Sequence, residues 1–222
     1  DAYELYFNYN DISSVRACLQ EHSDDVAAIF VGGCSYPYSA PTEEPTMDFI
    51  RGVRAAADEF GALLVLDEIR TNFRAGRHKP VHTPIGTDSG HGGRDMDRKR
   101  NIPTKTTETQ TQTQTWGRLG HWAQIGGPDV PPPDMYALCK ALGNGHPISA
   151  LLGGPKSHSG AAAMTATGTY WLGAPPMAAA MATLDALDAD DGAAVKHMQT
   201  LGTILARGLE RLGSERGLSV LT

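Results

Sequence analysis

GALLVLDEIRTNFR, residues 61–74, decides the fold. Leu63, Leu64, Val65 and Leu66 form an apolar run of strand length, and Gly61 sits where a preceding helix would end. Upstream, residues 46–60 repeat Phe49, Ile50, Val53, Ala57 and Phe60 at helical spacing. Before that, residues 26–31 read as a second buried strand, stopped by Gly32 and Gly33. Strand, helix, strand in this order predicts a parallel α/β sheet. The strand at 63–66 runs straight into Asp67 and Glu68, at the end where open α/β sheets bind ligands.

Working outward, residues 13–21 read as a short helix capped by Asp11, with Ile12, Val15 and Leu19 on one face. Beyond residue 122, three prolines at 131–133 lead into a short strand at 135–139 that ends at Lys140. Gly143, Asn144 and Gly145 make a turn, and residues 148–152 read as another strand. Helices follow: a weak one at 155–164, an Ala-rich one at 177–187, and a longer one at 192–212. The last has Val195, Met198, Leu201, Leu205, Leu209 and Leu212 near a 3.6 period. Residues 218–221 read as a strand.

Residues 77–118 break this pattern. They hold a charged run at 94–100 and a Thr/Gln-rich tract at 104–115, with eight basic and four acidic side chains. Such a stretch buries too little apolar surface to offset its ordering entropy, so it reads as a disordered insertion. Its abrupt composition is what a retained intron or misassigned exon would produce. Trp116, its only aromatic residue, lies outside the basic run, which argues against a base-stacking RNA tail.

Composition narrows the class. Hydrophobic residues at 41% allow a real core, and 25 glycines with 14 prolines indicate many turns. A net charge of −6 speaks against a generally basic nucleic-acid surface. No apolar run approaches the roughly 18 residues of a membrane helix, and no signal peptide is visible at the start. Cys18, Cys34 and Cys139 are too few and too far apart for a disulfide framework or a zinc site, so reduced cytoplasmic thiols are expected. His78, His82 and His91 lie in the polar stretch and no metal-ligand spacing appears, so no metal is expected. Gly-x-Ser-x-Gly and phosphate-loop Gly-Lys-Ser/Thr patterns are also missing.

Two places carry chemistry. Asp67, at a strand's carboxyl end, could hold a pyridinium nitrogen protonated, bind a metal, or simply cap a turn. Lys140, emerging from an apolar segment beside glycines, could be a surface lysine. Partial burial would instead lower its pKa and make the amine a nucleophile able to form a Schiff base. Together they point to pyridoxal phosphate, which needs a lysine for its aldehyde and an acid for its ring nitrogen.

Here the sequence resembles a known family. Residues 61–74 resemble the Asp-Glu signature of class III pyridoxal-phosphate aminotransferases. PDMYALCKALGNGHPISA, residues 133–150, resembles their lysine segment, and Gly168-Thr-Tyr-Trp with residues 175–184 resembles their third characteristic stretch. Within the family, the glutamate-1-semialdehyde 2,1-aminomutase branch looks most similar. The resemblance implies fold type I, an α/β partial large domain with a mainly parallel central sheet. It implies a first part at 1–76, the insertion at 77–118, and a second part at 119–222. Lys140 would form the Schiff base and shuttle protons, Asp67 would pair with the ring nitrogen, and Ile69 would lie against the ring face. Thr169 would donate to the cofactor phosphate across a homodimer interface. A small amino acid or amino aldehyde would be the substrate, with no nucleic-acid or membrane partner. Glu68 would support local structure, and His146 reads as a turn residue near the lysine. Family members are longer on both sides. Asn72 stands where they usually have Gly, and Gly32-Gly33 replaces their usual Glu-Pro. A chain without competent cofactor contacts is therefore the alternative expectation.

Overall fold

A computed structural model describes residues 4–23, 25–36, 42–74, 130–164, 168 and 173–219. The expected insertion at 77–118 lies outside the described residues, as does Thr169.

Helix α1 spans Ile12–Glu21, and the Asp11 side chain accepts from the backbone N–H groups of Ser13 and Ser14. Those are orphan donors of the first turn, so the cap holds the helix start. Strand β1 is Ala28–Gly32. Helix α2, Met47–Phe60, begins where Thr46 accepts from the Phe49 N–H and ends at Gly61, with φ 70°. That left-handed conformation strains any residue carrying a Cβ.

Strands β2 (Leu63–Asp67), β3 (Met135–Leu138) and β4 (Ala150–Gly153) complete a four-stranded sheet in the order β1-β2-β3-β4. β1 pairs parallel with β2, placing Gly32 opposite Asp67, and β2 pairs parallel with β3, placing Asp67 opposite Ala137. β4 pairs antiparallel with β3. The reason is the connection: residues 139–149 contain only a single 3₁₀ turn, Lys140–Leu142, too little for the crossover a parallel neighbour requires.

Ile29, Val31, Leu64 and Leu66 point to the sheet face that packs with Val15, Leu19, Phe49, Ile50 and Val53 of the two helices. Fully burying each such side chain contributes about 1.5–3 kcal/mol. At the amino end of the sheet, the Asp134 carboxylate accepts from the Leu64 N–H at 2.8 Å and from the Arg54 guanidinium at 3.0 Å. Arg54, only 4% exposed, also pairs with Asp58 at 2.7 Å. This cluster ties α2 to both central strands.

Three further helices follow: α3 (His158–Ala163), α4 (Ala174–Asp188) and α5 (Ala193–Ser214). Ala180, Leu187 and Val195 join the core. The rest of the periodic stripe on α5 is exposed, Leu201, Leu205, Leu209 and Leu212 included. The strand expected at 218–221 is not formed over its two described residues. Leu218 and Ser219 are outside any strand, because Gly217, at φ 65°, turns the chain and the Leu218 N–H donates back to the Gly213 carbonyl. Residues 220–222 lie outside the described residues.

Candidate active site

The carboxyl ends of β1, β2 and β3 gather three segments: Gly33-Cys34, residues 67–74, and Cys139-Lys140. Backbone hydrogen bonds lace them together past the strands. The Gly33 N–H donates to the Asp67 carbonyl and the Glu68 N–H to the Ala137 carbonyl, both at 3.0 Å.

Asp67 ends β2 with its side chain exposed. Its Oδ1 accepts from the Ile69 N–H at 2.9 Å, which fixes the carboxylate against its own turn. Oδ2 has no hydrogen bond to a described residue.

Glu68 is the opposite case. It is fully buried, and Thr71 donates its hydroxyl to Oε2. Oε1 has no donor among the described residues. Burial pushes the carboxyl up to about 8, the neighbouring Asp67 charge acts in the same direction, and the Thr71 hydroxyl opposes it. Glu68 is therefore largely neutral at pH 7. Gly33 makes room for this pair: a Cβ there would stand 2.3 Å from Thr71 Oγ1 and 3.1 Å from Glu68 Oε2.

Lys140 is exposed rather than partly buried. Strand β3 stops at Leu138, and the chain swings outward at Lys140 with φ 41°, an uncommon angle for a residue with a Cβ. The Asn144 N–H donates to the Lys140 carbonyl at 3.1 Å, so the backbone is held while the amine projects. Its amine has no ion-pair partner among the described residues. His146 is exposed, in the same turn, with its N–H donating to the Gly143 carbonyl.

Asn72 was legible only as a departure from the family pattern. It is fully buried, and its amide nitrogen donates to the carbonyls of Glu68, Ile69 and Cys139. Nothing in local periodicity could have revealed a bond to a residue 67 positions away. Cys18, Cys34 and Cys139 are in no disulfide. Burial pushes the Cys34 thiol up to about 11, which removes it as a thiolate nucleophile near neutral pH. Among the described residues no group of three His, Cys, Asp or Glu could hold a metal ion, and no helix is long and apolar enough to cross a membrane.

The sheet, its crossover helix and the acidic strand-end turn define an α/β protein with a partial aminotransferase fold. The FumI protein of Sphingopyxis sp. MTA144, solved in its PLP internal aldimine form, superposes with a TM-score of 0.71 at 27% identity. The match covers 96% of this chain and 40% of that one. N-acetylornithine aminotransferase from Stenotrophomonas maltophilia K279a gives 0.60 at 25% identity, over 96% of this chain and 42% of its own. By sequence, aminopentol aminotransferase of Sphingopyxis macrogoltabida is 28% identical over 218 residues, 97% of this chain and 40% of that protein. No family model matches the chain. The chain is similar over nearly its whole length to aminotransferases, and spans about 40% of the length of these relatives.

The described residues fit the ring and aldehyde of that cofactor. Oδ2 of Asp67, with no hydrogen bond to a described residue, suits a protonated ring nitrogen, and the exposed Lys140 amine is reachable by an aldehyde but lacks the partial burial expected of it.

Proposed function

We propose that this chain is the cofactor-binding centre of a pyridoxal-phosphate-dependent enzyme that moves amino groups. The carrying observation is the convergence of Asp67 and Lys140 at the carboxyl ends of two paired strands, in a chain similar to aminotransferases over nearly its whole length. The bound cofactor supplies an aldehyde that takes up amines and a ring that holds the electrons released when a bond at the substrate carbon breaks.

The protein's own groups do the rest. Lys140 Nζ holds the aldehyde in the resting site. With the cofactor bound and an amino substrate in place, Lys140 Nζ would act as the base that takes the proton from the substrate carbon and carries it to the accepting carbon. Asp67 Oδ2 holds a proton on the ring nitrogen, and the Ile69 N–H keeps that carboxylate oriented. Ile69 would flank the ring, and Thr169 would donate to the phosphate from across a homodimer. The two parts, 1–76 and 119–222, form one large domain around the insertion 77–118. Substrates are small amino acids or amino aldehydes, handled in the cytoplasm. Intramolecular transfer, of the glutamate-1-semialdehyde aminomutase kind, would use the same residues.

A second reading, a chain without competent cofactor contacts, is favoured by Lys140 being exposed rather than partly buried. Titration with pyridoxal phosphate separates the two. The first predicts a visible absorbance band, lost in Lys140→Ala, and roughly tenfold weaker binding in Asp67→Asn, since a hydrogen bond to a charged group contributes about 1.5–3 kcal/mol. A folded chain with no band supports the second reading.

A further inference from the structure

Asn72 puts a polar side chain in full burial between the two halves of the site. All three of its amide contacts are carbonyl oxygens, so its nitrogen must face them: Glu68 at 2.5 Å, Ile69 at 3.2 Å and Cys139 at 3.1 Å. Two of these lie in its own turn and hold residues 68–72 in shape. The third crosses to the segment that carries the lysine. Oδ1, meanwhile, is buried without a partner among the described residues. A buried oxygen in that state is a cost, so the stabilising half of the side chain is the donor half.

The Cys139 carbonyl belongs to the peptide that joins Cys139 to Lys140. It accepts from Asn72 and also from the Leu142 N–H at 2.9 Å. The Lys140 carbonyl, on the next peptide, accepts from the Asn144 N–H. Lys140 is thus held on both sides in the left-handed region, at φ 41°, a conformation a free lysine abandons readily. Without the Asn72 donor, the Cys139 carbonyl keeps only its contact within the lysine's own turn. The link to the Asp67 turn through this side chain is then gone.

We infer that Asn72 is the positioning residue for Lys140: through the Cys139 carbonyl it sets where the lysine leaves the sheet relative to Asp67. This rests on the assignment of Lys140 and Asp67 to pyridoxal phosphate. It also gives a physical role to the residue that departs from the family's glycine, which has no side chain with which to make this bridge.

The test uses the whole 222-residue chain, pyridoxal phosphate and borohydride, with labelled lysines mapped by mass spectrometry. Lys156 is the internal control, because it is exposed and paired with Asp58 away from the site. In the native chain Lys140 should label well ahead of Lys156. In Asn72→Ala and Asn72→Asp the Lys140-to-Lys156 ratio should fall about tenfold, the scale of one lost hydrogen bond. Asn72→Ser, which keeps one donor, should lie between. A purely structural role would lower the melting temperature and leave the ratio alone. Amide exchange at Leu142 and Asn144 is a second readout that needs no cofactor, and it should quicken about tenfold in the same variants. Folded variants whose labelling ratio and exchange rates stay within twofold of native overturn the inference. A native chain that labels Lys140 no faster than Lys156 overturns the pyridoxal reading itself, and this role with it, before any variant is made.

Discussion

Glu68 is expected to make the stability of this protein fall as pH rises. The carboxyl titrates at about 8 in the folded chain, against an ordinary value of 4.5, because it is buried with Oε1 lacking a donor. Between those values the native state keeps a proton that the unfolded chain has lost. Stability is therefore complete below about 4.5 and is lost as pH climbs through about 8. The slope through the middle of that window is about 1.4 kcal/mol per pH unit, and the whole window sets a ceiling of roughly 5 kcal/mol. A domain of this size has roughly 5–15 kcal/mol in total, so the effect is large. Glu68→Gln keeps the shape and removes the titration. Urea unfolding of both proteins at pH 5.5, 6.5 and 7.5 should show the variant gaining about 1.4 kcal/mol on the native chain at each step. Parallel pH profiles would refute the reasoning, and would mean that the Glu68 carboxyl is ionised in the folded state.

Two further expectations follow from the same packing. Arg54→Ala should cost about 3 kcal/mol by urea unfolding, because it leaves the largely buried Asp134 carboxylate only the longer, exposed ion pair with Lys156 at 3.7 Å; an effect below 0.5 kcal/mol would sink that account. Gly61→Ala should cost about 1 kcal/mol from backbone strain alone, since a Cβ there meets nothing within 4 Å, and a Tm equal to that of the native chain would contradict it.

Much of the fold was legible because its signals are local. The helix over Met47–Phe60 carries its own cap at Thr46, its own terminator at Gly61 and an apolar face that repeats at 3.6. The strand over Leu63–Asp67 is a bare apolar run ending in an acid, which is how a strand buried on both faces reads. The candidate site was legible for the same reason: Asp67 and Lys140 each stand at the end of such a run. Elsewhere local reading failed. The periodicity of Ala193–Ser214 named a core face, yet most of that face is exposed, because periodicity says which residues share a face and not what covers it. Residues 218–219 have strand-like composition, but a glycine turn and a helix-closing hydrogen bond claim the chain first.

The sequence by itself determined the elements, their order, and the two residue types that point to a cofactor with an aldehyde and a basic ring nitrogen. Only the tertiary structure decided that β2 lies beside β3, so that the turn after Asp67 meets the segment before Lys140 across more than sixty residues. It also decided that of two adjacent acids Asp67 stays exposed while Glu68 is buried and largely neutral. Asn72, a mismatch to the family when read in sequence, became a bridge once Cys139 was beside it. The physical reason is the same in each case. Propensity and periodicity act over a few residues, whereas burial, and the hydrogen bonds it makes necessary, depend on which distant segments come into contact.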